Sequence, residues 1–411
     1  MRHLPKMIKI ITMIGFSTLL GSMAFAETAE EKSMRLEQSG RKAATEVLRA
    51  FDHETKTVAP GCFTCAGQDA APPNCREAYS KFYSKPTLDF RITLGYSDYG
   101  IREDANGPIK RIDAEDGPRR AALSDRLLRK CPLNGVGVCG FEADPKDIEH
   151  YIKRNVLGPD GQPHTIDLHL VSSSASMDDQ ANRTTLRDQQ ALQSQRAHDN
   201  FMVHGMHAAL NLYAGHAREG GGTSYRPPPL QLNSLRVDES VFADRASEKE
   251  MLNALRGNPN PPAILGDFAC RSATLFADNI RIATKDPSGK SLTAVITSDG
   301  LTNAEVAFGQ LYMTLDSVLA LRCKTEFVQA LNSIKRIWNN HGKGAELTGL
   351  FDEPPAAPAR QTPLAPEPPA PDRYRTDAPL VSEKLIHPTE QPNHVPKDPP
   401  LHAPTEAGSV N

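Results

Sequence analysis

The sequence predicts an α/β protein: a mostly parallel sheet flanked by helices, with a cysteine-bearing N-terminal region and a disordered tail. Three observations carry this. From about residue 150 onward, short apolar runs alternate with helical patterns. That alternation implies a parallel sheet with helices packed on both faces. Two of the runs, residues 210–216 and 263–270, end in His216 and Cys270. The last 60 or so residues collect proline and alanine and hold little that is apolar.

The chain divides on these patterns into residues 1–26, 27–150, 151–345 and 352–411. Residues 1–26 read as a secretory signal peptide. Arg2, Lys6 and Lys9 supply the positive end, residues 10–20 the apolar stretch, and Ala24-Phe25-Ala26 a small-x-small cleavage site. The stretch is short for a membrane span, and no second long apolar run follows. Glu27 follows rather than a cysteine, so no lipoprotein anchor is indicated. An exported protein, periplasmic or extracellular, with no stable membrane anchor after cleavage is the expectation. The net charge of -3 and the lack of any Lys/Arg block argue against nucleic-acid binding.

Export favours disulfides. Seven cysteines are an odd number, so at least one thiol stays outside intrachain bridges. With Cys270 set aside, Cys62, Cys65, Cys75, Cys131, Cys139 and Cys323 have residues enough for three bridges, whose pairing the sequence leaves open. Cys62-Phe63-Thr64-Cys65 has the spacing of a redox pair or half a zinc site, but no second pair and no βαβ pattern surrounds it. A stapled loop is the simpler reading. Cys131 and Cys139 bracket a turn-forming Pro132-Leu133-Asn134-Gly135 and suit a local bridge.

In chain order, Ala44, Val47, Leu48 and Phe51 follow helical spacing and predict a helix over 27–51 that docks on the main domain. Leu88, Phe90, Ile92, Leu94 and Tyr96 alternate with polar residues, which predicts a strand with one buried face. Residues 97–120 read as loop, and 121–130 as a short helix. Ile166, Leu168 and Leu170 mark a strand after the turn Gly158-Pro159-Asp160-Gly161. A helix over 186–209 carries Ser194, Ala197, Phe201, Gly205 and Ala208 on one stripe, small enough for close packing on a sheet. After the His216 strand comes a long loop, 217–245, with Gly220-Gly221-Gly222. Ser247 and Glu250 have capping-box spacing and start the next helix. The Cys270 strand, a helix over 272–284, a strand over 292–297 and two helical segments over 303–340 complete the pattern. The tail cannot bury enough surface to offset its ordering entropy, and is read as disordered, partly polyproline-like, and free to bind a partner.

If both strands lie in one parallel sheet, His216 and Cys270 emerge at the same edge. Ligands sit beyond the carboxyl ends of such strands, and a thiol beside an imidazole is the minimal kit for nucleophilic catalysis. A strand ending in His, then an apolar strand ending Ala269-Cys270, resembles the caspase–haemoglobinase clan of cysteine peptidases, which includes caspases, gingipains, legumains, clostripain and separase. The resemblance covers roughly residues 160–340. It implies a caspase-like fold, Cys270 as nucleophile, His216 as general base or acid, and a peptide or protein substrate. In that clan the histidine is usually followed by glycine, whose amide helps form the oxyanion hole. Here the residue is Ala217.

Other candidates follow from position. Gly221 and Gly222 are expected to let the loop approach a bound peptide, and no Gly-Lys-Ser/Thr makes them a phosphate loop. Asp267 and Asp299 stand near strand ends, where they would select a basic side chain, while Arg218 argues for an acidic one. His204 and His207 are one turn apart, but no acidic partner completes a known metal spacing. They read as a solvated helical face, and no metal or other cofactor is expected. The function expected first is an exported cysteine peptidase; the alternative is an inactive caspase-like protein that binds a partner. Because the tail has no packing surface, deleting residues after about Pro354 should leave the melting temperature almost unchanged. A large drop in a thermal melt would mean that the tail packs on the folded part.

Overall fold

The alternation of Leu88, Phe90, Ile92 and Leu94 does form a strand, β1 (Thr87–Leu94), in the computed structural model. The structure describes residues 29–55, 58, 71–102, 109–131, 137–300, 303–333, 344–349, 351 and 352. The segment read as a signal peptide, Cys62 and Cys65, Ile334, Trp338 and the tail beyond Asp352 lie outside the described residues. No described helix is long and apolar enough to cross a membrane.

The strand candidates from 166, 210, 263 and 292 appear as β6 (Pro163–Ser172), β7 (Leu210–Ala214), β8 (Ile264–Phe268) and β9 (Ala294–Ser298). With β4 (Glu142–Asp144), β5 (Asp147–Leu157) and β10 (Ala345–Gly349), they join β1 in one sheet of order β10-β9-β8-β7-β1-β6-β5-β4. β9, β8, β7, β1 and β6 pair in parallel. β10 and the β5–β4 hairpin close the two edges in antiparallel fashion. A shift in the β5–β6 register, with Asn155 at φ 58°, marks a bulge in β5.

This order revises the boundary expected near residue 150. β1 lies in the middle of the sheet, between β6 and β7, so the N-terminal region contributes a central strand rather than a separate unit. Residues 97–120, expected as loop, hold the small ribbon β2 (Asp98–Arg102) and β3 (Ile109–Ala114) and the start of α3 (Asp116–Leu127). β5 has no clear signature in the sequence because its burial is irregular and a bulge breaks its ladder with β6.

Helices cover both faces. On the first pack α1 (Ala29–Thr55), α2 (Pro73–Phe82), α3, α9 (Ala304–Leu319) and α10 (Lys324–Asn332), against Phe90, Ile92, Leu168, Leu212 and Phe268. α9 is buried almost all round, as expected of a helix that is apolar on most sides. After the short α4 (Asp179–Arg183), the second face is covered by α5 (Arg187–His198), α6 (Ala246–Leu255), α7 (Ser272–Leu275) and α8 (Ala277–Ala283), against Tyr213, Leu265 and Val295. The stripe Ser194, Ala197, Phe201, Gly205 and Ala208 is buried as the spacing requires. Past His198, however, the helix widens to a π-turn, where Asn200 donates to the Ile92 carbonyl and Asn211 donates to the Phe201 carbonyl.

The capping box at Ser247 is not made. α6 begins one residue earlier, behind Arg245 in the left-handed region. The Ser247 hydroxyl is held by Thr223 Oγ1 at 2.9 Å, and the Glu248 amide donates to the Gly221 carbonyl. Tertiary partners have replaced the local ones.

Two disulfides join described residues. Cys131–Cys139 is the local bridge the turn suggested, and Cys75–Cys323 ties α2 to the start of α10 across 248 positions. In the chain-entropy account, the long loop contributes about 5 kcal/mol and the short one about 2.5 kcal/mol. Replacing Cys75 and Cys323 by serine should therefore lower stability more than replacing Cys131 and Cys139. Urea denaturation of the two double variants checks the order.

Candidate active site

β7 and β8 are buried along their whole length, and both reach the same sheet edge. Ala214 and Phe268 are register partners on these adjacent parallel strands. His216 and Cys270 each stand two residues beyond that pair, and neighbouring strands are about 4.8 Å apart. The edge expected from the sequence is therefore the one observed. Both residues line a small inner cavity of about 10 Å³, with Leu94, Ser97, Asp116 and Arg119. Both also line an outer cleft of about 240 Å³, with Ala217, Arg218, Gly220, Glu239, Arg271 and Leu275. Cys270 is not in a disulfide and is partly accessible.

The position has a topological reason. From β1 the chain runs to β6 on one side, then returns to β7 on the other and continues outward to β8 and β9. The chain reverses its direction of winding between β1 and β7. A parallel sheet opens a crevice at the carboxyl ends of strands at such a point. Leu94, Ala214 and the residues after them form its walls.

Tyr213 braces the crevice from below. Its hydroxyl accepts from the Ser224 amide at 2.8 Å and lies 3.2 Å from the carbonyls of His216 and Ser224. Gly95 and Gly215 pass close to the ring; a Cβ on either would stand within 2.4 Å of its oxygen. The two loops that follow β1 and β7 are thus fixed on one phenol.

The His216 ring is enclosed except where it meets the cleft, and its side chain is 22% exposed. Nε2 lies 3.3 Å from Asp98 Oδ1. Burial, with the Arg218 guanidinium and then Arg119 adding to it, pushes His216 down to about 3 against a hydrogen bond to the Asp98 backbone. The ring is therefore neutral at ordinary pH, the form that accepts a proton. Asp98 also makes a buried ion pair with Arg218, which holds a left-handed backbone at φ 43°. Burial nevertheless leaves the Asp98 carboxyl raised, because desolvation outweighs Arg218. Asp116, fully buried, accepts from the Ser174 amide at 2.7 Å and the Ser97 amide at 3.4 Å.

The remaining expected site residues fall differently. Ala217 lines the outer cleft, yet its side chain packs in the second-face core. Gly221 and Gly222 do not line the cleft. They pack under the start of α6, where a Cβ on Gly222 would come within 2.5 Å of the Glu248 amide nitrogen. Their smallness serves the close approach of loop and helix. Asp267 does not reach the cleft either. It is wholly buried on the second face; Oδ1 accepts from the Ala269 amide, and Oδ2 has no hydrogen-bond partner among the described residues. Burial pushes it up to about 7. Within β8, Asp267 shares the second face with Leu265 and lies under that layer, while Cys270 stands two residues beyond the strand's end, where the cleft opens. Arg218, read as a selector of acidic side chains, is occupied by Asp98. The helix after Cys270 is a single turn, and the Arg271 amide donates to the Gly300 carbonyl at 2.6 Å, so that amide is committed. His207 of the expected histidine face meets Asn258, and His198, earlier on the same helix, pairs with Glu250.

The sequence reading passed over Ser97, Asp98, Asp116 and Arg119, because residues 97–120 read as loop. The signal present was the run of charges directly after a strict period-two strand.

Comparison with protein-family models, with curated proteins and with solved structures gives no match.

The two perturbed groups make opposite contributions to stability. Folded Asp267 keeps a proton that the unfolded chain loses above about 3.9, so its contribution is present at low pH and lost as pH rises through about 7. Unfolded His216 takes a proton below about 6.5. Folded His216 does not until about 3, so its contribution is lost as pH falls through that window. The slopes oppose each other between about pH 4 and 6.5. Asp267→Asn should make the melting temperature fall more steeply on acidification than in the wild type. His216→Gln should flatten or reverse that fall. Thermal melts from pH 4 to 7 test both, and parallel curves for all three proteins would contradict the assignment.

Proposed function

We propose that the chain is an exported cysteine peptidase of caspase-like type, acting on a peptide or protein through Cys270 and His216. The observation that carries the reading is the register of the two residues: equivalent positions on adjacent parallel strands, opening into one cleft at the reversal of strand order. The apolar strand ending Ala269-Cys270 and the strand leading to His216 supply the resemblance to the clan. The two disulfides and the signal-like N-terminus fit export.

In the reaction, neutral His216 takes the Cys270 proton, and the thiolate attacks the scissile carbonyl carbon. The imidazolium then protonates the departing amine as the carbon–nitrogen bond breaks. Water, deprotonated by the same ring, cleaves the thioester and restores the thiol. Asp98, 3.3 Å from Nε2, is the nearby carboxylate that balances the transient imidazolium charge against Arg218 and Arg119. The Arg271 amide is committed to Gly300, so the oxyanion falls to other backbone amides around the cleft, Ala217 among them.

A second reading rests on Ala217, whose buried side chain stands where the clan has glycine. On that reading the domain binds a partner without turnover. A panel of thiol-directed peptide probes separates the two. Cys270→Ala should abolish labelling, and His216→Ala should slow it by about 10²-fold or more through loss of the base. If Cys270 reacts no faster than a small-molecule thiol in solution, and His216→Ala changes nothing, the enzyme reading fails and the binding module stands.

A further inference from the structure

Part of the second sheet face, over β1, β6 and β5, is left half open by the helices, and it carries charged and imidazole side chains instead of an apolar surface. Asp89 and Arg91 project from β1, Asp167 and His169 from β6, and His150 from β5. His150 and His169 are register partners across the antiparallel β5–β6 ladder. Their rings stack with centroids 4.6 Å apart and planes 8° from parallel. His150 Nε2 is 2.5 Å from Asp167 Oδ1, and His169 Nε2 is 3.5 Å from the same oxygen. One ligand atom from each of these half-buried residues lies within 4.8 Å of the others. The other nitrogen of His150, Nδ1, is 3.0 Å from Asp144 Oδ2 on β4. Arg91, a cation that acts on His169, is tied to Asp89 at 2.7 Å.

We propose that His150, His169 and Asp167 form a zinc(II) site on the β5–β6 ladder, with Asp144 holding the His150 ring. Two imidazole nitrogens and one carboxylate favour zinc over magnesium or calcium, which take oxygen donors. Zinc bonds to such donors are about 2.0–2.2 Å long, which in a tetrahedron sets the donors about 3.3 Å apart. The distances of 2.5 and 3.5 Å bracket that spacing, the third pair of donors stands within 4.8 Å, and turning the two stacked rings toward one point brings both planes onto the ion. The half-open face leaves the fourth position to water. A metal-bound histidine commonly donates its second ring N–H to a carboxylate, which fixes its tautomer and orientation. Asp144 stands in that place for His150, in a third strand. The site would therefore clip β4, β5 and β6 together at the sheet edge. It is three strands from β8, roughly 14 Å by strand spacing alone, so it is separate from the Cys270 cleft.

Calorimetric titration of the full chain with zinc(II) should show one equivalent that is lost in His150→Gln and in His169→Ala. Asp144→Asn should retain that equivalent with about 10–100-fold weaker affinity. Cobalt(II) should give the visible bands of tetrahedral coordination without a thiolate charge-transfer band, which separates this site from any uptake by Cys270. Far-UV circular dichroism checks that the variants fold; should His169→Ala fail to, His150→Gln on the half-exposed hairpin decides. No zinc uptake by the wild type, equal uptake by wild type and His150→Gln, or a thiolate band on the cobalt form would each overturn the proposal.

Discussion

The placement of β1 between β6 and β7 is the constraint on which the rest depends. Parallel neighbours need crossover connections, and right-handed crossovers are the overwhelming rule. With β1 in place, the chain fills one side of it inward, from β4 at the edge through β5 to β6, then crosses to β7 on the other side and builds outward to β9. The crevice at that reversal is a consequence of topology, and it exists whatever side chains line it. Here the loops after β1, β7 and β8 supply Ser97, His216 and Cys270 to it. The phenol of Tyr213 holds the first two of those loops at a fixed separation.

The crevice is electrostatically tight. Asp98, Arg218, His216, Asp116 and Arg119 crowd behind the cleft with little water to screen them. A buried ion pair such as Arg218–Asp98 costs much of its Coulombic gain in desolvation. Beside it, burial first and the Arg218 charge second keep His216 neutral. Asp267, beneath, is shifted by burial alone and has no charge partner to offset it. That makes Asp267 a property of the core under the site rather than of the surface that would meet a substrate. The difference between His216 and Asp267 is one of strand parity and chain position, since one lies past its strand's end and the other within it.

The layer on the first face is held by several independent ties. The Cys75–Cys323 bridge links α2 to α10, and Tyr79 donates to the Arg322 carbonyl at 2.8 Å beside it. Arg126 pairs with Asp52 at 2.7 Å and donates to Tyr312 at 3.1 Å, joining α3, α1 and α9. Phe351 packs on Tyr79 and Phe327, so the described chain ends in the same cluster. These ties bring α1 and α2 onto the sheet together with β1, which is why the N-terminal part belongs to the same core.

By itself the sequence determined the strands from residue 163 to 298, the helices between them, the local Cys131–Cys139 bridge and the common edge of His216 and Cys270. Those features follow from periodicity and chain order, which local residues carry. Tertiary structure alone decided the rest. Nothing near residues 87–94 says that this strand enters the middle of a sheet whose other strands come much later. Ser247 and Glu250 have the right spacing for a capping box, yet Thr223 and Gly221 offer partners from another loop and displace it. Gly221, Gly222 and Asp267 lie close in sequence to His216 and Cys270 and still face the core, because the second-face helices cover them. The His150–Asp167–His169 cluster was equally hidden. Asp167 and His169 at i and i+2 share a strand face, but the third member arrives only through the antiparallel register of β5 on β6. Local pattern fixes which face a side chain takes; which side chains then meet is set by strand order and register.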